Sequence, residues 1–319
     1  MGYNYSLKDL PKILWDSTGD RINLNPPFAT SKISNPAVIS REKSPDDKWR
    51  MYVNSNFGIQ EFISTDGKAW KHNKLVLLNC SNPFIYFEAG NYYLLYEKYS
   101  IKDFFIKSKN VEKLNSKICV RKSQDLKSWE KEKILLEPNF NWQQKTNNFL
   151  TNPSMVFFHG LYYLFFSTSP VYLEELNDFY PLHIGMAAAK TIDSEFEVYP
   201  SPIIFPDKNS NYRNLASGSL KVYKTHDGLL GLETCICKNT VGEFKMSILA
   251  LYSKDIFHWN YLLTEQNLIS VNDEESELFL TNPDLVFHEN ENLFYIFFNQ
   301  RKANSGEISV NMYNGKIQD

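Results

Sequence analysis

Uncharged polar side chains recur at one point of a repeated segment in this sequence, at the start of an apolar run. Four are asparagines followed by proline, and a fifth, weaker copy has Ser-Gly-Ser instead. The residues are Asn35, Asn82, Asn152, Asn282 and the pair Ser217 and Ser219. Amides and hydroxyls donate and accept hydrogen bonds without carrying charge, so together they suit the binding of neutral hydroxyl groups. They cannot serve as general acids or bases, because they do not titrate near neutral pH.

Carboxylates that could perform acid–base chemistry follow these positions along the chain. Glu97 and Glu233 stand in the second apolar run of their copies, and Asp284 comes two residues after Asn282. In a strand, that spacing puts Asp284 and Asn282 on the same side of the sheet. Two opposed carboxyl groups can protonate a leaving oxygen and activate water, so Glu97, Glu233 and Asp284 are the candidate catalytic residues. A structural hydrogen-bond acceptor is the alternative for each.

The connecting segments and one strand end offer further charged groups. Arg301 closes the second apolar run of the last copy, where a guanidinium could bind a carboxylate or phosphate of a ligand. An ordinary surface arginine is the alternative. Carboxylates in the connecting segments are Asp16, Asp20, Glu174, Glu175 and Glu277. For each of these, a solvated surface charge is the alternative.

The polar positions each begin a copy of one hairpin. The two clearest copies are Thr281–Arg301, TNPDLVFHENENLFYIFFNQR, and Thr151–Ser167, TNPSMVFFHGLYYLFFS. Both run from Thr-Asn-Pro through an apolar strand and a polar turn into an aromatic strand. The other copies begin at Ser34, Ser81 and Ala216, and successive anchors lie 47, 70, 65 and 65 residues apart. A repeat of this length predicts one structural unit per copy.

Each unit has room for two more strands. A turn with Ser, Asp and Trp at fixed spacing follows the hairpin at Ser64–Trp70, Ser123–Trp129 and Ser253–Trp259, and its aspartate is expected to shape the turn through the backbone. Five units of four strands predict an all-β protein, a five-bladed β-propeller that forms a single domain over residues 1–319. The last unit lacks its fourth strand. We expect the short strand Lys12–Trp15 to supply it, with the side chains of Ile13, Leu14 and Trp15 packed on the blade, and so to cover the open edge.

Insertions and linkers are predicted to lie at the same end of the propeller as the polar positions. The insertions are Tyr99–Lys117 and Pro170–His183, and the second is predicted to form a short helix. The linkers are Glu137–Leu150 and Ser270–Leu280. In an up-and-down blade, the entry to the first strand and the loop between the second and third strands share one end. Aromatic residues that could stack on a flat ligand ring there are Trp142, Phe149, Tyr172 and Tyr180.

Composition argues against several other classes of protein. A net charge of −3 is not that of a strongly basic nucleic-acid binder. No apolar run approaches the roughly 18 residues that span a bilayer, and the N-terminal sequence MGYNYSLKDLPK lacks the apolar segment of a signal peptide, so a cytoplasmic location is expected. The four cysteines, Cys80, Cys119, Cys235 and Cys237, are expected to be free thiols. Histidine spacing and nucleotide-binding motifs give no sign of a metal or cofactor, and the oligomeric state stays open.

The combination of these motifs resembles the five-bladed propellers of glycoside hydrolase family 43 and of its relatives, families 32, 68 and 130. The shared features are Asn-Pro at the start of an apolar strand, Gly-x-Tyr-Tyr-Leu beginning at Gly90 and Gly160, and Ser-x-Asp followed by Trp. The resemblance covers essentially the whole chain as a repeat pattern. It implies a carbohydrate-active propeller whose partner is a sugar or glycoconjugate held in a central funnel.

The catalytic positions implied by this resemblance hold no carboxylate. They are Asn35 for the general base, Asn82 for the residue that orients the acid, and Asn152 for the general acid. Ordinary glycoside hydrolysis needs two carboxyl groups across the scissile bond, and an amide replaces neither. Two hypotheses follow. Either carboxylates elsewhere have taken over, or the propeller binds a glycan without cleaving it, as a binding module or scaffold.

The asparagines also have an architectural alternative. A residue before proline is usually extended, and its amide could tie one blade to the next through hydrogen bonds. We therefore predict that the four asparagines and the Ser217 and Ser219 pair surround one polar depression on the propeller axis. There they would act either as ligand contacts or as pins between blades.

Overall fold

Strands make up nearly all of the regular structure. The computed structural model describes residues 5–16, 22–25, 32–100, 115–138, 142, 149–174, 178–263, 268–269, 278–302 and 307–318. In chain order the strands are β1 (Ile13–Asp16), β2 (Ser34–Ile39), β3 (Trp49–Asn54), β4 (Gly58–Ser64), β5 (Lys71–Leu78), β6 (Cys80–Glu88), β7 (Asn91–Tyr99), β8 (Ser116–Ser123), β9 (Lys133–Leu136), β10 (Leu150–Phe158), β11 (Leu161–Leu173), β12 (Asp178–Ala189), β13 (Glu197–Val198), β14 (Ala216–Lys224), β15 (Leu229–Lys238), β16 (Phe244–Ser253), β17 (Asn260–Tyr261), β18 (Leu278–His288), β19 (Leu293–Lys302) and β20 (Ile308–Ile317). Two short 3-10 helices, Leu7–Lys12 and Arg41–Lys43, complete the regular elements of these ranges.

The strands form five antiparallel four-stranded sheets, which confirms the predicted five-bladed propeller. Four sheets follow the chain in the orders β2-β3-β4-β5, β6-β7-β8-β9, β10-β11-β12-β13 and β14-β15-β16-β17. The first strands β2, β6, β10, β14 and β18 each contact the first strands of both neighbouring blades, so they surround the propeller axis. We number the blades 1 to 5 in this order. The end of the propeller at which the first strands begin is called the mouth.

The fifth sheet, β18-β19-β20-β1, is closed by the N-terminal strand as predicted. β1 pairs antiparallel with β20, from Ile13 opposite Ile317 to Asp16 opposite Asn314. Ile13 is buried, whereas Leu14 is 64% exposed. The expectation that all three residues pack on the blade is therefore wrong for Leu14, because successive strand residues face opposite sides of the sheet.

The core lies between the blades, where aromatic rings of neighbouring sheets meet. Trp49 of blade 1 approaches Phe297 of blade 5 at 6.4 Å between ring centroids, and Phe165 of blade 3 approaches Trp259 of blade 4 at 5.9 Å. Phe165 and Phe297 are fully buried. Packing of this kind holds sheets face to face, and it fixes the place of each first strand at the axis.

The predicted Ser-x-Asp turns join the third and fourth strands at the end opposite the mouth. In blade 1, Asp66 Oδ1 accepts the backbone N–H groups of Lys68 and Ala69 at 2.9 and 2.8 Å. Asp125 and Asp255 accept the equivalent pairs of N–H groups in blades 2 and 4. Backbone donors lower the pKa of Asp125 to about 2, so this carboxylate stays charged and the turn stays closed at neutral pH.

The insertion of blade 3 is a β-hairpin, so the predicted short helix is wrong. β11 and β12 continue through it, with Val171 opposite Tyr180. Aromatic and β-branched residues favour strands over helices, and the pairing extends an existing ladder. We call this extension, residues 169–173 and 178–181, the blade-3 arm.

Candidate funnel site

Each asparagine-proline pair forms a bulge at the start of its first strand. Asn35, Asn82, Asn152 and Asn282 have φ angles of 57°, 52°, 49° and 49°, and pairing with the second strand is interrupted at these points. The expectation of an extended backbone before proline is therefore wrong. Asparagine enters the left-handed region several-fold more readily than most residues, so the bulge itself favours this residue type.

Hydrogen bonds from these side chains join blades 5, 1, 2 and 3. Asn299, near the end of β19, accepts the backbone N–H of Asn35 at 2.8 Å and donates to its Oδ1 at 2.7 Å. Asn54, at the end of β3, accepts the backbone N–H of Asn82 at 2.6 Å and donates to its Oδ1 at 3.1 Å. Asn35 Nδ2 donates to the same Oδ1, and Asn82 Nδ2 donates to Thr151 Oγ1. The amides therefore pin successive blades to one another.

Blades 3, 4 and 5 are joined in a similar way. Asn152 Nδ2 donates to the carbonyl of Gly218 at 2.9 Å. Ser219 Oγ donates to Asn282 Oδ1 at 3.3 Å, and Thr234 Oγ1 accepts the backbone N–H of Asn282 at 2.9 Å. These contacts complete a circle around the axis, and we call the four asparagines with Ser219 the asparagine ring. Its architectural role rests on these bonds, and ligand contact by the same residues stays a prediction.

Glu97 is bonded to the asparagine ring, and its oxygens are occupied. The side chain is fully buried. Oε2 accepts from Ser81, Asn82 and Thr151 at 3.0, 2.6 and 2.8 Å, and Oε1 accepts from the Tyr99 hydroxyl. Both oxygens of this buried carboxylate therefore have protein donors, three on Oε2 and one on Oε1. In this structure Glu97 orders the contact of blades 2 and 3.

Glu233 forms a buried ion pair in blade 4. Arg213 donates from Nη1 to Glu233 Oε2 at 2.8 Å, and the Glu233 side chain is fully buried. Burial raises the pKa of Glu233, while Arg213 acts in the opposite direction. Glu233 Oε1 has no hydrogen-bond donor at bonding distance and angle, whereas both oxygens of Glu97 have donors.

Asp284 lies between blades below the asparagine ring. Asp284 Oδ2 accepts the backbone N–H of Val38 in blade 1 at 2.6 Å, and Oδ1 accepts from the Tyr223 hydroxyl of blade 4 at 2.8 Å. Burial raises the pKa of Asp284, and the nearby charge of Lys221 lowers it. The three predicted catalytic carboxylates are thus all buried, and each binds groups of the protein itself.

Lys221 crosses the space inside the first strands, from blade 4 to blade 2. Its Nζ donates to the carbonyl of Pro83 at 3.2 Å and lies 4.7 Å from the centroid of the Phe84 ring. A buried ammonium is held in such a place by carbonyl and π contacts and by a neighbouring anion, here Asp284. Burial lowers the pKa of Lys221 from 10.5 to about 8.

The titration of Lys221 should change the free energy of unfolding with pH, and replacement of the residue should remove this change. The unfolded lysine binds its proton up to a higher pH than the folded one, so the free energy of unfolding rises as pH increases between about 8 and 10.5. Relative to Lys221→Met, the wild type should gain about 3 kcal/mol across this window. Urea denaturation of both proteins from pH 7 to 10.5 measures the difference. Parallel pH profiles would show that Lys221 titrates normally.

Arg301 connects blade 5 to the blade-3 arm. Its Nη1 donates to the Tyr180 hydroxyl at 2.8 Å, and Tyr180 packs in one hydrophobic cluster with Phe279 of β18. On its other side, Phe179 of the arm packs near Tyr99 of blade 2. The arm therefore reaches from blade 3 towards both blade 2 and blade 5 at the mouth.

The predicted stacking residues have different environments. Tyr172, in the arm, is 43% exposed. Trp142 stacks on Phe166, and its Nε1 donates to the carbonyl of Tyr199 at 2.8 Å, so it belongs to the packing of blade 3. Phe149 is half-buried against the cluster around Tyr99. Of these four aromatic residues, Tyr172 is the one most available to a ligand.

The carboxylates of the connecting segments do not gather at the mouth in the part of the chain that is described. Asp16 is exposed at the end of β1, the outer strand of blade 5, and Glu174 is exposed at the tip of the blade-3 arm. Asp20, Glu175 and Glu277 lie outside the described residues.

Four residues of the site were not anticipated from the sequence. Asn54 and Asn299 pair with the residue that precedes the asparagine of their own blade, as Glu97 does in blade 2. Their spacing in the hairpin repeat was an available signal. Arg213 and Lys221 belong to no motif, and no comparable signal marks them.

The described ranges contain no group of three or more His, Cys, Asp and Glu side chains placed to hold a metal ion. Cys80, Cys119, Cys235 and Cys237 are free and buried. Burial raises the pKa of Cys80 and Cys119 to about 12, which makes these thiols poor nucleophiles. Over the same ranges, the structure has no helix with the length and hydropathy that a bilayer span requires.

Comparisons with known proteins find similarity in fold but not in sequence. No protein-family model matches the sequence, and no curated protein is similar enough in sequence to count as a match. Solved structures match the fold over nearly the whole chain. A thermostable family-43 glycoside hydrolase has a TM-score of 0.63 at 13% identity, with 94% of this chain and 96% of that chain covered.

Two further structures give the same result. An exo-1,5-alpha-L-arabinanase from a bovine ruminal metagenomic library has a TM-score of 0.60 at 13% identity, covering 92% of this chain and 99% of that one. A family 117 glycoside hydrolase from the marine bacterium Zobellia galactanivorans has a TM-score of 0.59 at 13% identity, covering 97% and 92%. At such identities the likeness is one of fold: this chain has the five-bladed β-propeller of family 43 and family 117 glycoside hydrolases.

Proposed function

We propose that this chain recognises a neutral sugar or glycoconjugate at the mouth of the propeller and does not hydrolyse it. One observation carries the proposal. The positions at which the resemblance implies hydrolytic groups hold Asn35, Asn82 and Asn152, whose amides are bonded between blades. Structures with the same fold include an exo-1,5-alpha-L-arabinanase and other glycoside hydrolases, which favours a carbohydrate ligand over other classes.

The environment of the nearby carboxylates supports binding over cleavage. A general acid must reach the glycosidic oxygen, and a second carboxyl group must serve as base or nucleophile roughly 5–10 Å away. Glu97 has four donors and Asp284 has two, and both are buried. Neither carboxylate is free to transfer a proton to a ligand at the mouth.

The second candidate function is hydrolysis by carboxylates at positions other than those that the resemblance implies. The environment of Glu233 favours it. Its raised pKa is the property that a general acid needs, and its Oε1 accepts no protein hydrogen bond. A second carboxylate is required for ordinary glycoside hydrolysis. The described residues place none beside Glu233, where Arg213 is the charged neighbour.

The proposal predicts stabilisation by sugars without turnover. Thermal unfolding should be measured with L-arabinose, D-xylose, D-galactose, D-glucose, arabino-oligosaccharides and nucleotide sugars, each at rising concentration. A ligand at 100 times its Kd adds about 2.7 kcal/mol to the free energy of unfolding, so at least one probe should raise the Tm by several degrees. The absence of any shift would contradict sugar binding.

The same protein should release little or no product from simple arabinosides and xylosides. Loss of general acid–base help lowers rates by roughly 10²–10⁴ per group, and both implied positions hold amides. Aryl glycosides give a direct colorimetric assay. Hydrolysis at ordinary enzymatic rates that disappears in Glu97→Gln or Glu233→Gln would establish the second candidate instead.

The proposal includes a cytoplasmic location. The four free cysteines are compatible with a reducing compartment, where thiols persist without pairing.

A further inference from the structure

Buried polar atoms that make no hydrogen bond within the protein gather where blade 3 meets blade 4. They are Ser167 Oγ, Ser217 Oγ, Glu233 Oε1 and Arg213 Nε. The side chains of Ser167, Ser217 and Glu233 are 0% exposed. Native proteins contain few such atoms, because each costs about 1–3 kcal/mol. We call these four residues the blade 3–4 junction.

Strand pairing and charge place Ser217, Glu233 and Arg213 side by side. Ser217 pairs with Cys235, two residues along β15 from Glu233. Burial raises the pKa of Glu233, and Arg213 and a hydrogen-bonding contribution from the Ser217 hydroxyl act against that rise, although the Ser217 hydroxyl does not meet the distance and angle of a formed hydrogen bond. Arg213 Nη1 donates to Glu233 Oε2 at 2.8 Å. Glu233 Oε1 and Arg213 Nε therefore remain for another partner.

Ser167 faces the junction from blade 3. It pairs with Thr151, the residue before the bulge, and so occupies the position from which Asn54, Glu97 and Asn299 reach the next blade. A serine side chain is shorter than an amide or carboxyl side chain, so Ser167 does not make that bridge. Among the described residues of the asparagine ring, blades 3 and 4 are therefore joined only through the hydrogen bond from Asn152 to the carbonyl of Gly218.

A second buried ion pair shows that the open acceptor of Glu233 is not a general consequence of burial. Glu61 and Arg50 of blade 1 are also buried and lie 2.9 Å apart. There, the Tyr52 hydroxyl shares Glu61 Oε1 at 3.0 Å and Asn73 donates to Oε2. Among the fully buried glutamates of the described ranges, Glu233 alone keeps an oxygen without a donor.

We infer that the blade 3–4 junction anchors two adjacent hydroxyl groups of a neutral sugar, an inference that rests on the proposed function. A sugar hydroxyl can donate to Glu233 Oε1 and accept from Arg213 Nε–H, and serine hydroxyls serve as either partner. The charges of Glu233 and Arg213 offset each other, so the site does not select an anion. This subsite lies beside the axis rather than at the centre of the asparagine ring.

The blade-3 arm packs beside the junction. Leu173 and Tyr180 of the arm pack in one cluster with Ala216, the neighbour of Ser217. Because the junction atoms are buried, the inference requires the arm to move aside for a sugar to reach them, and this motion would break the 2.8 Å bond from Arg301 to Tyr180. Entry through a moving hairpin is a common arrangement at binding sites.

The test compares affinities of matched variants for the sugar that stabilises the wild type most among L-arabinose, D-xylose, D-galactose and D-glucose. Titration calorimetry should show roughly 10–100-fold weaker binding in Glu233→Gln, because a hydrogen bond to a charged group is lost. Ser167→Ala should weaken binding roughly 3–10-fold with no loss of Tm, since its hydroxyl makes no hydrogen bond to the protein. Ser217→Ala should weaken binding by a similar factor. Glu61→Gln is the control, because it also disrupts a buried ion pair and should keep the wild-type Kd.

Each result decides one point. Unchanged affinity in Ser167→Ala, Ser217→Ala and Glu233→Gln would overturn the inference while leaving sugar recognition intact, and would mean that the junction holds water only. Equal weakening in Glu61→Gln and Glu233→Gln would also overturn it, as an indirect effect on the fold. If none of the four sugars binds the wild type, both the inference and the recognition of these sugars are wrong.

Discussion

Removal of residues 1–15 is expected to abolish cooperative folding of the propeller. The deletion unpairs the outer edge of β20 and removes four buried side chains from the cluster between blades 4 and 5: Tyr5, Leu7, Leu10 and Ile13. At roughly 1.5–3 kcal/mol per fully buried side chain, the loss is comparable with the whole stability of a typical domain, about 5–15 kcal/mol. Circular dichroism and thermal unfolding of the truncated protein measure the effect.

The same segment is also tied to blade 4 by its backbone. Asp227 Oδ1 accepts the N–H of Leu7 at 2.8 Å, and the carbonyl of Tyr5 accepts the N–H of His226 at 3.1 Å. Single substitutions provide the matched control. Ile13→Ala should lower the free energy of unfolding by about 2–5 kcal/mol, whereas Leu14→Ala, at an exposed position, should change it little. A truncated protein that melts at the wild-type temperature would contradict closure by β1.

The five-bladed architecture was predictable because the features that specify it recur within short segments of the sequence. Alternating apolar runs, the Ser-x-Asp turns and the missing fourth strand of the last unit are each visible within a few residues, and the structure has the predicted sheets. Closure by β1 followed from counting strands. Such features depend on period and turn chemistry, which a single sequence displays directly.

Other features depend on partners distant in the chain and were not predictable in this way. The left-handed backbone of Asn35 and Asn82 reflects the bulge, which forms only when the first strand meets its second. The blade-3 arm forms strands because each half pairs with the other, whereas the sequence predicted a short helix there. The ion pair of Arg213 with Glu233, and the reach of Lys221 to blade 2, have no local pattern at all.

The sequence pattern placed the polar residues of successive copies close together, and the structure shows the hydrogen bonds that they make. Asn82 and Glu97 do lie together at the mouth, but their shared hydrogen bond of 2.6 Å lies within blade 2, and Glu97 bonds to blade 3 through Thr151 at 2.8 Å. Polar residues at equivalent points of a repeat converge on the axis, and this convergence serves assembly as readily as ligand binding. The asparagine ring and Glu97 thus hold the blades in register around the axis.

The substitution Asn82→Asp places a carboxylate where the resemblance implies one, and it should be strongly destabilising. Asn82 Nδ2 donates to Glu97 Oε2 at 2.6 Å and to Thr151 Oγ1. Aspartate loses both donors and sets a second negative charge against a buried carboxylate. Loss of a partner of a buried charge typically costs about 3–5 kcal/mol, so the free energy of unfolding at pH 7 should fall by that order.

The pH dependence of this variant adds a second readout. The introduced aspartate would have a pKa raised above its unfolded value by the buried carboxylate beside it, so the folded protein binds a proton that the unfolded chain releases. Stability relative to the wild type should therefore rise as pH falls from 7 to 5.

Urea denaturation of Asn82→Asp and Asn282→Asp at pH 7 tests the central claim most directly, that the ring asparagines are pins between blades. Asn282 has the same bulge and accepts from Ser219 through Oδ1, which aspartate retains, so its variant should lose much less than the 3–5 kcal/mol or so expected for Asn82→Asp. The account predicts this difference. An Asn82→Asp protein as stable as the wild type would show that the position tolerates a carboxylate, as a catalytic position does, and would contradict it.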